Sequence, residues 1–148
     1  MRMIFVWITV AFIAAVAWIF ISEKTRRVPE FTDANCIRAL VGEYARDDYY
    51  GMKIMAHAIR NRKTLKGVYG YCAKHSKKES RHIWILASLA WFDSEKEKDP
   101  LQGAAEWRSR DDLSEHSIPK GMALVKIYDG NYYYKHITKK GGHHARTS

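Results

Sequence analysis

Residues 36–70 read CIRALVGEYARDDYYGMKIMAHAIRNRKTLKGVYG, and the reading of this stretch decides the fold. Ile37, Leu40, Val41 and Tyr44 fall at the i, i+3, i+4, i+7 spacing of one buried helical face. Thr32 or Asp33 can cap that helix by accepting a backbone N–H bond. Glu43 falls off the stripe, on the flank that carries Cys36, and is expected at the helix end beside the core. Asp47 or Asp48 can cap a second helix, with Met52, Met55, Ala56 and Ile59 as its buried stripe. Thr64–Gly70, with two glycines, breaks that pattern.

Toward the C-terminus, Ser76-Lys77-Lys78-Glu79 fits the capping box of a third helix. Its middle, Ile83–Phe92, is apolar nearly all round, which predicts the central buried helix with Trp84, Trp91 and Phe92 in the core. Asp99-Pro100 ends it. Met122–Tyr128 and Tyr132–Ile137 are β-rich runs joined through Asp129-Gly130, a strong hairpin signal. The fold expected is α+β: a mostly helical domain closed by a C-terminal hairpin.

At the other end, Met3–Ile21 is apolar apart from Thr9. At about 1.5 Å per residue it approaches the roughly 30 Å hydrocarbon thickness of a bilayer. Trp18 sits where an interfacial aromatic would. Ala15-Val16-Ala17 could serve as a signal-peptide cleavage site, but cleavage would leave an apolar Trp-Ile-Phe-Ile terminus. An uncleaved single-pass anchor is therefore the reading taken. Residues 3–22 form the anchor, 23–31 a linker, 32–138 the domain and 139–148 a flexible tail. Arg2 and the α-amine precede the segment and Lys24, Arg26 and Arg27 follow it, a count that places the domain on the cytoplasmic side.

Composition narrows the partners. With 148 residues and 47% hydrophobic content the chain suits one domain plus an appendage. A net charge of +9 favours an anionic partner, whether wall polymer, lipid surface or nucleic acid, although solubility alone would also account for it. Cys36 and Cys72 form no Cys-x-x-Cys; they are either one disulfide, in an oxidising compartment, or two buried thiols. The histidines, His143-His144 included, show no His-Glu-x-x-His spacing, and no Gly-x-Ser-x-Gly, P-loop or dinucleotide fingerprint occurs. No metal or cofactor is expected. Lys74–Arg81 is a basic run that suits phosphate or wall anions, or a solvated helix start. Aromatic and basic residues are not interleaved as in a nucleic-acid module, so no nucleic-acid partner is expected.

A glutamate on a helix is ordinarily a solvated residue. Glu43 differs in its company: Tyr44, Tyr49 and Tyr50 could supply the aromatic surroundings of a proton donor and surfaces for stacking on sugar rings. Glu43, Gly51 and Asn61-Arg62 follow one another at intervals of eight and ten residues. Thr64-Leu65-Lys66-Gly67-Val68-Tyr69-Gly70, Gly103-Ala104-Ala105-Glu106-Trp107 and Tyr132-Tyr133-Tyr134-Lys135 come after them. In these blocks the chain resembles the SleB-type cell wall hydrolases, particularly their phage branch, from about Asn35 to His136. It departs from them in Tyr44-Ala45-Arg46-Asp47, where Ala-Arg-Gly-Glu is common, and in Arg108, where an acidic residue often stands.

The resemblance implies a lysozyme-like fold and cleavage of the MurNAc–GlcNAc β-1,4 bond of peptidoglycan, by a lytic transglycosylase or a muramidase of phage-lysis type. It implies Glu43 as the catalytic acid, and Tyr49, Tyr50, Asn61, Arg62, Glu106 and Trp107 as substrate-binding candidates. Asn61 and Arg62 hold either glycan or the Glu43 loop, or else simply end the second helix. A hydrolytic route would need a second carboxylate, from Glu106, Asp111 or Asp112. A wall substrate also implies a domain facing the wall from the cytoplasmic membrane, against the charge bias. The competing class is a catalytically inactive membrane-tethered module that binds wall or nucleic acid.

Overall fold

A computed structural model of the chain describes residues 28–109 and 118–137. The anchor segment Met3–Ile21 and the tail 139–148 lie outside the described residues, as do Asp111 and Asp112. Among the described residues no helix is long and apolar enough to cross a membrane.

The architecture is α+β. Helices α1 (Asp33–Glu43), α2 (Tyr49–Arg62) and α3 (Arg81–Lys96) are followed by strands β1 (Glu106–Ser109), β2 (Met122–Tyr128) and β3 (Asn131–His136). Two short 3-10 turns, Tyr69–Cys72 and Lys74–Lys78, lie between α2 and α3. The sheet is antiparallel in the order β1-β3-β2. The hairpin turns at Asp129-Gly130, whose φ values of 46° and 75° both lie in the left-handed region that a two-residue turn demands. β1 was not legible as a strand. It is four residues long and depends on its partner, pairing Trp107 with Tyr133 and Glu106 with Tyr134.

Thr32 and Asp48 are the N-caps of α1 and α2, accepting from Asn35 N–H at 3.4 Å and Gly51 N–H at 3.0 Å. α3 begins later than the capping-box reading placed it. Ser80 caps it, accepting from Ile83 N–H, while Ser76 is buried and spends its hydroxyl on Ala73 O inside the preceding 3-10 turn. The helix ends at Lys96, ahead of Asp99-Pro100.

The central helix is α2, not α3. Met52, Ile54, Met55, Ala56, His57, Ala58 and Ile59 are all buried, because α1 and α3 pack on α2 and the sheet meets its flank. α3 turns Ile83, Ala87, Ala90, Trp91 and Ser94 inward, yet Ile85, Leu89 and Phe92 stay exposed on its outer face. Phe92 is therefore not a core residue, and Trp84 is only half-buried. Arg60 clamps α2 to α3: it donates to Ser94 Oγ at 2.9 Å and Trp91 O at 2.8 Å and stacks 3.9 Å from the Trp91 ring centre. The cysteines are not paired; Cys36 is buried and Cys72 exposed.

Two contacts set the Glu43 end of this scaffold. A Cβ added to Gly42 would lie 1.9 Å from Gly70 O, and one added to Gly70 would lie 2.4 Å from Ala39 O and 2.5 Å from Glu43 N. Backbone thus rests on backbone where the 3-10 turn crosses the last turn of α1. The second contact is a polar latch. Buried Tyr44 places its hydroxyl 2.8 Å from Asp48 Oδ2 and 2.7 Å from Asp129 Oδ2, and Tyr128 donates to Asp48 Oδ2 at 2.9 Å. Arg46 pairs with Asp129 on the outside. This latch ties the hairpin turn to the α1–α2 corner.

Gly42→Ala is expected to destabilise the domain by about 2–3 kcal/mol, the scale of overpacking against backbone that cannot move, read from the urea unfolding midpoint. Burial raises the Asp48 pKa, but the Gly51 N–H and the Tyr44 and Tyr128 hydroxyls outweigh it and hold the carboxyl below its ordinary value. A depressed native pKa contributes stability at neutral pH that is lost as pH falls from the unfolded value of about 4 through the lower native one. Asp48→Asn keeps a capping side chain but cannot titrate, so its stability should fall less steeply across that window in unfolding at stepped pH.

Candidate active site

Glu43 is the last residue of α1 and is half-buried. One carboxyl oxygen, Oε1, accepts from Gly70 N–H at 2.6 Å; the other, Oε2, accepts from the indole N–H of Trp107 at 3.1 Å. The first donor exists only because Gly70 lies flat on α1. The second arrives from β1, 64 residues along the chain. Two N–H groups therefore fix the plane of the carboxyl, and further lone-pair positions on each oxygen remain for a proton or a hydroxyl.

Trp107 is itself held from below. Arg62, at the end of α2, donates to Glu106 Oε2 at 2.8 Å and to Lys66 O at 2.8 Å through Nη2 and 3.1 Å through Nε. It also donates to Ala105 O at 3.4 Å, and its guanidinium lies 5.7 Å from the Trp107 ring centre. One planar cation thus joins the end of α2, the loop before Gly70 and the strand that carries Trp107. Asn61 works alongside: its Nδ2 donates to Asp99 Oδ2 and Ala104 O, both at 3.0 Å. Asp99 in turn accepts from Leu101 N–H and Gly103 N–H, at 2.8 and 2.6 Å. The Asn61-Arg62 pair anchors the loop and strand behind the site, and Lys63 ends α2 in the left-handed conformation with φ 56°.

The structure brings Glu43, Arg62, Glu106 and Trp107 into one connected cluster, with Asn61 one step behind. It does not bring the tyrosines expected around the acid. Tyr44 turns into the polar latch, where burial and the two carboxylates push its hydroxyl far above the ordinary tyrosine pKa and keep it a donor. Tyr49 donates to Asp93 Oδ2 on α3 at 2.5 Å, so its ring braces two helices. Tyr50 meets Tyr128 edge-on, with ring centres 5.3 Å apart, and its hydroxyl accepts from Lys126 at 3.3 Å. The aromatic neighbour of Glu43 is Trp107 instead. The reason is rotation: Tyr44 follows Glu43 by about 100° around the helix axis and points to the opposite flank.

Two participants were not singled out from the sequence. Gly70, which closes the Thr64–Gly70 stretch, supplies a backbone donor. Tyr69, beside it, is 86% exposed, the most open of the large hydrophobic residues described. Val68 is buried, the Tyr69 ring is open and Gly70 lies at a close crossing, an arrangement that depends on the fold and left no local signal in the sequence. Glu106 is engaged by Arg62 as a counter-ion. Among the described residues no cluster of three or more His, Cys, Asp or Glu side chains could hold a metal ion.

Arg62→Met should cost on the order of 1–3 kcal/mol by stranding Glu106 and the Lys66 carbonyl. The same variant should shift the Trp107 indole resonance in a 15N spectrum, assigned through Trp107→Phe, because the ring loses the guanidinium that seats it. Compared with known proteins, the chain matches no family model, no curated protein and no solved structure.

Proposed function

We propose that this chain is a peptidoglycan-cleaving enzyme acting on the MurNAc–GlcNAc β-1,4 bond, with Glu43 as general acid and base. On this reading the domain is lysozyme-like, akin to the SleB-type hydrolases, and is held at the cytoplasmic membrane by residues 3–22, facing the wall. The observation that carries the reading is the seating of Glu43: a half-buried carboxyl at a helix end, its plane fixed by Gly70 N–H and Trp107, with the open ring of Tyr69 one residue from the first donor.

In the first step Glu43 gives its proton to the glycosidic oxygen, and the bond from that oxygen to the MurNAc anomeric carbon breaks. The acetamido oxygen of the same sugar closes on that carbon, so no protein nucleophile is needed. Glu43, now a carboxylate, takes the proton of the muramyl 6-hydroxyl as that oxygen attacks the anomeric carbon. The acetamido group is restored and a 1,6-anhydro end is formed. Glu106 is tied to Arg62, which favours this lytic transglycosylase route over one that needs a second carboxylate to activate water. Trp107 and Tyr69 would flank the sugar, and Arg62 acts by holding Trp107.

A second reading, a non-catalytic wall-binding module, is favoured by one observation: both Glu43 oxygens already have protein donors. The two separate cleanly. Glu43→Gln, which keeps an acceptor for only one of the two N–H donors, should lose about 1–3 kcal/mol of stability yet stay folded, and should lose turbidity clearing of purified sacculi by at least about a hundredfold. Mass spectrometry of the released muropeptides should show anhydro ends. Equal clearing by both proteins would remove the catalytic role of Glu43. Sacculus binding by the parent without muropeptide release would establish the binding module.

A further inference from the structure

The outer face of α3 is built against expectation for a water-facing helix. Opposite the buried side, Ile85, Leu89 and Phe92 are 48, 52 and 45% exposed and recur at four- and three-residue spacing, so they form one continuous stripe. Arg81 and Lys96 fall on the same face at its two ends, and exposed Lys77, Lys78 and Lys98 lie just beyond them in the chain. The two carboxylates of α3 itself are already engaged, Glu97 just beyond it is held by Lys53, and Glu79 lies among the cations that precede it. Asp93 is held by Tyr49 and Lys96, and Glu95 by Arg60.

The place where the chain enters the domain adds a constraint. Phe31 packs edge-on against Trp91 of α3, with ring centres 6.2 Å apart, and Asp33 accepts from the Trp91 indole at 2.8 Å. Phe31 lies only ten residue steps beyond Ile21, the end of the apolar segment. Fully extended they reach at most roughly 35 Å, so a domain tethered this way stays close to the bilayer with its entry point beside α3.

We propose that the Ile85–Leu89–Phe92 face of α3 seats on the surface of an anionic bilayer, its side chains entering the headgroup–acyl boundary and its flanking cations meeting lipid phosphates. An apolar stripe rimmed by lysine and arginine is the pattern of an interfacial helix. The net charge of +9 favours an anionic surface. This seating rests on the reading of Met3–Ile21 as an anchor and not on the glycan chemistry. It would hold the domain in one orientation at the membrane.

The test uses the full chain in liposomes of phosphatidylglycerol and phosphatidylethanolamine, with a nitroxide at Leu89→Cys or, as control, at Lys120→Cys on the sheet side. Cys72→Ser supplies the background, since Cys36 is buried and its thiol is pushed up to about 11 by that burial, which keeps it from labelling. The expected result is higher oxygen collision and lower nickel-chelate collision at position 89 than at 120. Ile85→Lys with Phe92→Lys should abolish that contrast while the protein still resists carbonate extraction. Equal nickel access at both positions overturns the seating. Exclusion of both reagents at 89 also overturns it: with dipolar broadening the face is covered by a second copy, and without it by another segment of the chain. Release of the parent by carbonate overturns the anchor on which the seating depends, whatever sacculus assays show about Glu43.

Discussion

The site depends on two glycines that let backbone touch backbone. Gly42 lies on the side of α1 where the 3-10 turn crosses, and Gly70 sits at the crossing. Any side chain at either position would meet main-chain atoms, which cannot rotate away as a flexible side chain could. Because the turn rests this low, its amide points at Glu43 from 2.6 Å. Lifting the turn by the width of a methyl group would remove that donor and the placement of Tyr69 together. The seating of Glu43 is thus set by a steric condition, and the side chain itself contributes little to meeting it.

A second dependence runs through the end of α2. Arg62 touches the Gly70 loop through Lys66 O and the Trp107 strand through Ala105 O and Glu106. Both neighbours of Glu43 therefore lean on one guanidinium, which can satisfy several acceptors in one plane. Asn61 does the same for the loop that feeds β1, through Asp99 and Ala104. The polar latch of Tyr44, Asp48, Tyr128 and Asp129 fixes the hairpin to the α1–α2 corner, and β3 in the middle of the sheet holds β1 in register. The acid, its donors and their supports come from segments far apart in the chain.

α3 shows how one pattern can serve two purposes. A helix apolar nearly all round fits a core, and also fits a helix with one face on the core and one on another apolar medium. Periodicity is the same in both cases. What separates them is the number of elements available to cover it. α1, α3 and the sheet are spent on α2, and the described residues leave the outer face of α3 uncovered.

The sequence alone determined the helices, the hairpin and the N-caps of α1 and α2, though not that of α3, because these follow from interactions within a few residues. Thr32 and Asp48 reach their own helix amides, Asp129-Gly130 adopts the turn its φ values allow, and Leu40, Val41, Met52, Met55 and Ile59 recur at helical spacing. It also singled out Glu43, Asn61, Arg62, Glu106 and Trp107, which the fold gathers, yet it surrounded Glu43 with the wrong aromatics. Tyr44, Tyr49 and Tyr50 are close in the chain but are carried to other faces by helix rotation and by their own carboxylate or lysine partners. Only the tertiary structure decided that Trp107 and Gly70 flank the acid, that β1 is a strand and that α2 is central. Each of those depends on contacts between segments remote in sequence, and local spacing carries no record of which remote backbone can approach a glycine.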